Sequence, residues 1–482
     1  MTNPNPLNKT PLNKKPKMEA RMLRSRRRIR FAEIGVTIVC LGFVSIFGFK
    51  YVINPYLLSS SAATKNTVIY DAIEDYAIEG DIVDSSSNII LGNGSAGVSA
   101  SASYPMNYSY AWLLGYYSVN SGKENAFGLR GNLKDYSLYF LNSANKGATT
   151  TLTTNNDLQN YAYKLLNNEE GSVIVLDNKT GAIKALASHS TIDYDVNDTN
   201  TLLTTTVEGS QYRRGTYEVD PPGSTFKVVT AAAALKLQKD QNLSSDYFLY
   251  DDNGQYVPPG SDFTITNYGN KSYGTVDLES GLNNSVNTYF ANLGVKIGGA
   301  NIQSMASKFM IGKTVEIPFL GTISSSIDDL SKADNAEVAQ SAFGQGHTQV
   351  TPMNMAMIAQ AIGNNGDMMA PYIVSSIKSG NLPLYYAFPH KLSTCLDSDV
   401  DASLKQIMHS TAVGYGLTES QYGMVYAKTG TAECADGRIH TYIIGCTENA
   451  SFCISMNNSD TSTTLWSSAK QLVSYLNQMY AK

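Results

Sequence analysis

The sequence predicts an α/β protein in which one sheet is assembled from distant segments, preceded by a small β-rich domain and a single transmembrane helix. Strand patterns occur at both ends of the region from residue 150 onward, as GSVIVLD and GAIKALAS on one side and MVYAKTG and HTYIIGC on the other. Helical patterns such as FKVVTAAAALKLQ and MNMAMIAQAI lie between them. Strands separated in this way favour one sheet built from both ends of the region. The 482 residues leave room for two or three domains.

The transmembrane helix is predicted by a long apolar stretch near the N-terminus. Residues 31–53 contain the 20-residue stretch from Ile34 to Ile53, in which Lys50 is the only charged residue. About 20 apolar residues span the ~30 Å hydrocarbon core of a bilayer, and Lys50 is close enough to the end to reach the interface. A secretory signal peptide would have a shorter apolar core followed by a cleavage site of small residues.

The charge distribution predicts the orientation of this helix. Residues 1–30 carry ten basic side chains and one acidic side chain, so the rest of the chain must sum to −14 to give the total of −5. Positively charged flanks stay on the cytoplasmic side. We therefore expect a cytoplasmic tail (1–30), one helix in the plasma membrane (31–53) and an extracytoplasmic body. The acidic body also argues against a nucleic-acid partner, because a nucleic-acid-binding domain is itself basic.

Residues 54–149 are predicted to form the small domain, and residues 150–482 the main one. The first segment is rich in Ser, Asn and Tyr with short apolar patches, and the pattern changes near GATTTLTTNNDLQNYAYKLL. There Thr153 or Thr154 can cap a helix. The apolar positions of that helix recur at helical spacing, at Leu158, Tyr161, Ala162, Leu165 and Leu166.

An extracytoplasmic location would permit disulfides. Cys446 and Cys453 lie on two predicted strands around a turn, where they could face each other. Together with Cys395 and Cys434 they allow three full pairings, and four free buried thiols fit the sequence equally well.

The candidate nucleophile lies in the segment PPGSTFK. Ser224 falls at the start of a predicted helix, and Lys227, three residues later, shares its face. A nucleophilic serine needs a base within hydrogen-bond reach, and a desolvated lysine can supply one. The helix N-terminus also offers N–H groups to a developing oxyanion.

The spacing alone does not single out this pair. The pattern Ser-x-x-Lys occurs four times, at Ser143/Lys146, Ser224/Lys227, Ser375/Lys378 and Ser467/Lys470. Of these, only Ser224 follows Pro-Pro-Gly and opens a long helix. Context therefore favours Ser224 and Lys227.

Two further motifs complete the candidate site. Ser285-Val286-Asn287 lies in a polar loop that enters a short helix, so both side chains can project into a cleft. The motif Lys428-Thr429-Gly430-Thr431 follows a predicted strand, whereas the similar Lys179-Thr180-Gly181 occupies a turn between strands. Gly430 is expected to let a substrate backbone approach the strand edge.

The chain resembles the serine penicillin-recognising enzymes, and among them the class B, monofunctional penicillin-binding proteins. The resemblance rests on PPGSTFK, NNSVNTYFANLG and VYAKTGTAE in that order, and it covers roughly residues 150–482. It implies a transpeptidase domain of the penicillin-binding-protein and serine β-lactamase type, with an antiparallel sheet flanked by helices. It also implies cell-wall biogenesis, in cell shape or cell division, without a cofactor or metal.

The resemblance assigns roles to the candidate residues. Ser224 would attack a D-Ala-D-Ala carbonyl, Lys227 would take its proton, and the N–H groups of Ser224 and Thr431 would form the oxyanion hole. Ser285 would relay a proton to the leaving D-Ala, and Asn287 would bind the peptide. Lys428 would hold the proton network, with Thr429 near the substrate carboxylate.

The implied partners are peptidoglycan stem peptides, β-lactams and a membrane-embedded glycan polymerase. Two other functions remain open on the sequence. The first is a serine β-lactamase; class D members of that group carry Ser-x-Val where this chain has Ser285-Val286-Asn287. The second is a β-lactam sensor or divisome scaffold that is acylated without cross-linking. An intact active site is compatible with all three.

Overall fold

The structure is a computed structural model that describes residues 34–42, 78–92, 108–120, 123–142, 145–189, 213–433, 439–457 and 464–481. Residues 34–42 form a helix within the unit 1–72, and residues 73–482 form a second compact unit. Across these described ranges, no helix combines the length and the apolar character needed to cross a membrane. The predicted tail 1–30, and all of the predicted span except 34–42, lie outside them.

The compact unit contains strands and helices from residue 82 onward. In chain order its strands are β1 (Ile82–Val83), β2 (Ile89–Leu91), β3 (Tyr116–Asn120), β4 (Lys123–Phe127), β5 (Thr149–Leu152), β6 (Gly171–Asp177), β7 (Ile183–His189), β8 (Tyr250–Asp252), β9 (Gln255–Tyr256), β10 (Ile265–Thr266), β11 (Gly274–Val276), β12 (Thr314–Ile317), β13 (Gly321–Ser324), β14 (Asp367–Met369), β15 (Val374–Ser379), β16 (Leu382–Tyr386), β17 (Lys391–Thr394), β18 (Tyr426–Glu433), β19 (Ile439–Cys446) and β20 (Ala450–Asn457). Its helices are Ala111–Leu114, Gly128–Lys134, Asp135–Tyr139, Asn156–Leu165, Arg214–Tyr217, Gly223–Phe226, Lys227–Gln241, Ser245–Phe248, Tyr268–Asn270, Leu278–Asn283, Asn287–Ile297, Gly299–Lys308, Asn335–Ala342, Pro352–Gly363, Ser398–Gly414, Glu419–Tyr422 and Thr464–Tyr480.

The central sheet has the order β18-β19-β20-β6-β7, and every neighbouring pair in it is antiparallel. The predicted strands from both ends of the region therefore pair in one sheet, as the sequence indicated. β18 is an edge strand of this sheet, and within the described residues no second strand pairs with the outer side of the strand that carries Lys428-Thr429-Gly430.

Both faces of the sheet are covered by helices. Along β6, Val173 and Val175 pack in one apolar cluster, together with the helices Asn156–Leu165 and Thr464–Tyr480. Ile174 and Leu176 alternate with them and pack in the other cluster, which contains the fully buried helix Pro352–Gly363. Successive strand residues point to opposite faces, so a strand buried on both sides is apolar throughout. The predicted antiparallel sheet flanked by helices is confirmed.

A second sheet joins the two sides of the predicted boundary at residue 150. Its order is β16-β15-β5-β1-β2, and β5 pairs with β1 on one side and β15 on the other. Nearby, Arg130 and Glu79 form a buried ion pair with two hydrogen bonds of 3.0 and 2.8 Å. Residues 78–92 thus lie in the same sheet as residues from the main domain.

The helix predicted to be capped by Thr153 or Thr154 begins one or two residues later than expected. Asn155 is its N-cap, and its side chain accepts a hydrogen bond of 2.9 Å from the Leu158 N–H. The two threonine hydroxyls are used elsewhere, because Thr153 donates to the Ile183 carbonyl and Thr154 accepts from the Tyr110 hydroxyl.

The cysteines of the described residues are free thiols. In the β19–β20 hairpin, Cys446 lies opposite Ser451, and Cys453 lies opposite Ile444. The two thiols are therefore a diagonal pair and do not face each other directly, although both are buried. Burial raises the pKa of the Cys446 thiol to about 12. Cys434 lies outside the described residues.

Candidate active site

Ser224 lies in a tight turn that packs against the edge strand. Residues Gly223–Phe226 form one 3-10 turn, and the α-helix Lys227–Gln241 follows, so the helix starts slightly after the predicted position. Gly223 has a φ of +54°, and a Cβ at this residue would lie 2.5 Å from the Thr431 carbonyl oxygen. Only glycine allows the turn and the strand to approach so closely.

Gly344 supports the turn from the other side. The Gly223 N–H donates a hydrogen bond of 3.0 Å to the Gly344 carbonyl. Gly344 has a φ of +89°, and a Cβ there would lie 1.8 Å from the Gly223 carbonyl oxygen. Gly344 belongs to none of the motifs that mark the candidate site in the sequence. It contacts the nucleophile turn directly, although it carries no reactive group.

Lys227 is the centre of the polar contacts. Its Nζ lies 2.9 Å from Ser224 Oγ, 2.7 Å from the Ser285 carbonyl oxygen, 3.1 Å from Ser285 Oγ and 2.7 Å from Asn287 Oδ1. The side chain is fully buried. The structure thus brings the Ser-x-x-Lys and Ser-x-Asn motifs together around one amine.

The pKa of Lys227 is held well below its usual range. Burial is the largest cause, because the charged form loses its hydration, and the nearby charge of Lys428 lowers the pKa further. Both effects favour the neutral amine, which is the form that can accept a proton.

The Ser-x-Asn motif is held by a buried carboxylate that the sequence did not reveal. Asp252 accepts hydrogen bonds from the Thr288 hydroxyl at 2.7 Å, the Asn267 amide at 3.0 Å and the Gly254 and Tyr273 N–H groups. Thr288 is the second residue of the helix Asn287–Ile297, so these bonds fix where that helix begins. No local pattern marks Asp252, because its partners come from distant turns.

Asn287 is oriented by the same region. Its Nδ2 donates to the Thr266 carbonyl at 3.2 Å, which turns Oδ1 toward Lys227. Ser285, just before it, has a φ of +54°. This left-handed conformation of a non-glycine residue is uncommon and costs about 1–2 kcal/mol, so the surrounding contacts must impose it.

Lys428 approaches the same serine from the edge strand. Its Nζ lies 3.1 Å from Ser285 Oγ, 3.2 Å from the Tyr415 hydroxyl and 3.0 Å from the Thr429 carbonyl oxygen. Lys428 is also fully buried. Ser285 Oγ therefore lies between the two lysine amines and within hydrogen-bond distance of both.

Tyr415 is a site residue that sequence reasoning missed. Its hydroxyl accepts from Lys428 Nζ and from Thr429 Oγ1, each at 3.2 Å. It immediately follows the helix Ser398–Gly414, and among the 31 tyrosines of the chain no motif sets it apart. The approach of this helix end to β18 is a tertiary feature, so only the structure reveals the contact.

Gly430 packs closely against the nucleophile turn. A Cβ at Gly430 would lie 2.7 Å from the Pro222 carbonyl oxygen and 2.9 Å from the Thr225 nitrogen. The chain's own nucleophile turn therefore accounts for a glycine at this position, and the approach of a substrate backbone to the strand edge stays a prediction. Thr431, the next residue, is exposed on the edge strand.

Two groups of His, Asp and Glu side chains lie apart from these contacts, within the part of the chain that is described. They are Glu218, Asp220 and His440, and Asp328, Glu337 and His347. In the first group Glu218 already pairs with Arg214 at 2.6 Å, and His440 Nε2 lies 3.1 Å from Asp220 Oδ2. An ion pair and a close His–Asp contact therefore already engage these three side chains.

Comparison with known proteins places this arrangement in a family. Residues 171–475 match the family described as penicillin binding protein transpeptidase domain. The peptidoglycan D,D-transpeptidase PbpA of Mycolicibacterium smegmatis is 28% identical over 371 residues, which cover 68% of this chain and 72% of that protein. The protein of the same name from Mycobacterium tuberculosis is 27% identical over 379 residues, covering 70% and 73%.

Solved structures share the fold. The ceftriaxone acyl-enzyme complex of penicillin-binding protein A from M. tuberculosis superposes with a TM-score of 0.74 at 23% identity, covering 83% of this chain and 98% of that one. The D,D-transpeptidase domain of a peptidoglycan glycosyltransferase from Eggerthella lenta gives 0.73 at 23% identity, covering 84% and 99%. The chain therefore belongs to the penicillin-binding protein transpeptidase family, as one of its class B members, the peptidoglycan D,D-transpeptidases.

Proposed function

We propose that the chain cross-links peptidoglycan stem peptides through an acyl-enzyme formed on Ser224. Ser224 Oγ attacks the carbonyl of a D-Ala-D-Ala terminus, and Lys227 takes the hydroxyl proton. The C–N bond then breaks, and the terminal D-Ala leaves as an amine. The amine of a neighbouring stem peptide next attacks the acyl ester, releases Ser224 and forms the cross-link.

The contacts of Lys227 are the observation that carries this proposal. Two of its partners, the Ser285 carbonyl and Asn287 Oδ1, can only accept hydrogen bonds, and both lie at 2.7 Å. A neutral amine has two N–H groups and one lone pair. When the N–H groups point to these two acceptors, the lone pair is left for the Ser224 hydroxyl at 2.9 Å. The lowered pKa of Lys227 favours this neutral state.

Ser285 is suited to protonate the leaving amine. Its Oγ lies 3.1 Å from each lysine Nζ, and Lys227, once it is protonated, can pass a proton to it. The Ser285 hydroxyl can then donate its own proton to the departing nitrogen while it accepts one from Lys227. This relay returns the proton that Lys227 removed from Ser224 and leaves the site in its starting protonation state.

The strand and the turn can supply the remaining groups. Close packing of Gly223 against the Thr431 backbone puts the nucleophile turn beside the strand edge, which suits an oxyanion hole made from the N–H groups of Ser224 and Thr431. Thr429, Gly430 and Thr431 line the substrate side of that edge in this proposal. Lys428 supplies positive charge near the substrate carboxylate, with Thr429 as a hydrogen-bonding neighbour.

The direct test is the intact mass of the purified full-length chain at intervals after addition of penicillin, with Ser224→Ala as the variant. A stable increase by one penicillin in the wild type, absent from Ser224→Ala, is the expected result. An unmodified wild type, or a variant that is still modified, contradicts the proposal.

The same time course separates the two alternative functions. An adduct that disappears within seconds while penicillin is consumed indicates a β-lactamase. A stable adduct without formation of cross-linked dimers from stem-peptide substrates indicates a sensor or scaffold. The expected outcome is a stable adduct together with transfer of a D-Ala-terminated peptide to an amine acceptor.

We also propose that residues 31–53 anchor the enzyme in the plasma membrane, with residues 1–30 in the cytoplasm, residues 54–149 as a pedestal and residues 150–482 outside. The charge contrast between tail and body supports this orientation. A membrane-embedded glycan polymerase would be its partner by family resemblance. Alkali-resistant membrane association that is lost on deletion of 31–53 is expected, as is co-purification with such a polymerase. Recovery of the full chain in the soluble fraction would contradict the anchor.

A further inference from the structure

We propose that the Tyr415 hydroxyl recognises the terminal carboxylate of the substrate together with Thr429. This inference rests on the proposed function, because it concerns the anionic end of the same acyl donor. Tyr415 follows the helix Ser398–Gly414 and belongs to none of the three motifs that are assigned to the reaction. Its hydroxyl nevertheless contacts two residues of the Lys428-Thr429-Gly430 motif.

Tyr415 is fixed on two sides. Its backbone N–H donates to the Thr411 and Ala412 carbonyls at the end of the helix Ser398–Gly414. Its ring packs on Trp466, with ring centroids 4.1 Å apart at an angle of 47°. A tyrosine held by a helix end and by an aromatic ring loses little further conformational freedom on binding, so its hydroxyl is preorganised.

The hydrogen bonds of this hydroxyl leave its proton available. Tyr415 accepts from Lys428 Nζ and from Thr429 Oγ1, which uses both lone pairs of the phenol oxygen. Thr429 has then spent its only hydroxyl proton on Tyr415. In this arrangement the O–H group that can donate to an incoming anion is that of Tyr415. If the two hydroxyls reverse their hydrogen bond, Thr429 donates to the anion and Tyr415 donates to Thr429.

The position of the Tyr415 and Thr429 hydroxyls, together with the charge of Lys428, favours a carboxylate as the ligand. Tyr415 and Thr429 are both partly exposed, whereas Lys428 beneath them is fully buried. Lys428 contacts three oxygen atoms at 3.0–3.2 Å, those of Ser285, Tyr415 and Thr429. These contacts occupy its three N–H donors, so a hydroxyl is needed to link the buried charge to a ligand outside. An anion is stabilised by the positive charge transmitted through such hydrogen bonds.

The test compares a ligand that carries the carboxylate with one that does not. The acylation rate constants of the full-length chain are measured with benzylpenicillin and with benzylpenicillin methyl ester, for the wild type and for Tyr415→Phe. Loss of a hydrogen bond to a charged group lowers an association about 10- to 100-fold. We expect Tyr415→Phe to lower the ratio of the acid rate to the ester rate by about tenfold or more.

Tyr161→Phe is the matched control, because Tyr161 is also partly exposed and its ring stacks on Tyr475 at 4.4 Å. It is expected to leave both rates unchanged. An equal loss with acid and ester in Tyr415→Phe, or no loss with either, overturns the role of Tyr415 while leaving the proposed function intact. Failure of wild-type acylation by both ligands would instead overturn the proposed function and this inference with it.

Discussion

Two Ser-x-x-Lys pairs on helices of this chain have opposite environments. In the pair Ser224/Lys227 the lysine is fully buried and lies 2.9 Å from its serine. In the pair Ser467/Lys470 the serine is exposed and accepts a hydrogen bond from Gln471, and the lysine is only partly buried. The spacing is identical, so it brings serine and lysine to one helix face in both cases but does not make the lysine a base. The two lysines differ in burial and in partners, because Lys227 is fully buried and lies 2.7 Å from two atoms that can only accept hydrogen bonds.

The Lys-Ser/Thr-Gly motifs differ in the same way. Lys428 is buried on an edge strand and contacts Ser285 and Tyr415, whereas Lys179 is exposed in the turn between β6 and β7. There, Thr180 donates to Asp177 at 2.7 Å, as an ordinary turn residue does. Lys378 in the third motif is exposed, 5.5 Å from the Tyr386 ring centroid. Each reactive lysine therefore has a counterpart in the same chain that serves as an internal control.

The largest effect is expected from Lys227→Met. It removes the proposed base while keeping the length of the side chain, and general-base catalysis contributes up to about 10⁴-fold. We expect the rate of acylation by penicillin to fall by about 10³- to 10⁴-fold, measured by stopped-flow competition or by the increase in mass. Lys470→Met should leave the rate unchanged. Similar losses in the two variants would show that the two pairs do not differ in function.

A smaller loss is expected from Lys428→Met. This change removes a positive charge beside Ser285 and the anion site but leaves the Ser224–Lys227 pair in place. Loss of one preorganised electrostatic group costs about 10²-fold or slightly more. The same acylation assay measures it, with Lys378→Met as the control. If Lys428→Met were acylated at the wild-type rate, Lys428 would contribute no more to acylation than the exposed Lys378 does.

The pH dependence of acylation separates a neutral base from an ordinary lysine. Only the neutral amine of Lys227 can take the serine proton, so the rate falls about tenfold for each pH unit below its pKa. Because burial and Lys428 hold that pKa well below the usual 10.5, the rate should level off at a pH well below 10.5. Acylation rate constants from pH 5 to pH 10 provide the measurement. A rate still rising tenfold per unit near pH 10 would contradict the lowered pKa.

The smallest effect on the acylation rate is expected from Gly344→Ala. This change, which lies behind the nucleophile turn, should mainly lower the free energy of unfolding. A Cβ there would lie 1.8 Å from the Gly223 carbonyl, whereas at Gly346, which also has a positive φ of +78°, the nearest atom is 3.7 Å away. Both substitutions introduce about 1–2 kcal/mol of backbone strain, and only the first adds a clash. Chemical denaturation should therefore show a larger loss of unfolding free energy for Gly344→Ala than for Gly346→Ala. Equal losses would show that the contact with the turn is not important.

Much of the sheet and of the motif set could be predicted from local sequence. Apolar runs such as GSVIVLD predict strands because both faces of the sheet are buried, and Pro-Pro-Gly before Ser224 predicts the turn because these residues restrict the backbone. The motifs that were chosen by their context, around Ser224, Ser285 and Lys428, also lie together in the structure. The sequence predicted the helix after residue 153 with an error of one or two residues, since Asn155 competes with Thr153 and Thr154 for the capping position.

The residues that could not be predicted act through distant contacts. Asp252 supports Thr288 from a separate turn, Gly344 supports Gly223, and Tyr415 reaches Lys428 from the end of another helix. None of these contacts leaves a periodicity or a spacing in the sequence. The contact of Gly430 with the nucleophile turn is a further feature of this kind, because its neighbours Pro222 and Thr225 are distant in the sequence.

If the environment of Lys227 makes its serine reactive, Ser224 should be the one Ser-x-x-Lys serine that reacts with penicillin. Peptide mapping of the full-length chain after acylation compares the modification of Ser143, Ser224, Ser375 and Ser467 in one sample. The account predicts one penicilloyl group, on Ser224, with the other three serines unmodified. A label on any of the other three serines, or a label spread among them, would contradict it.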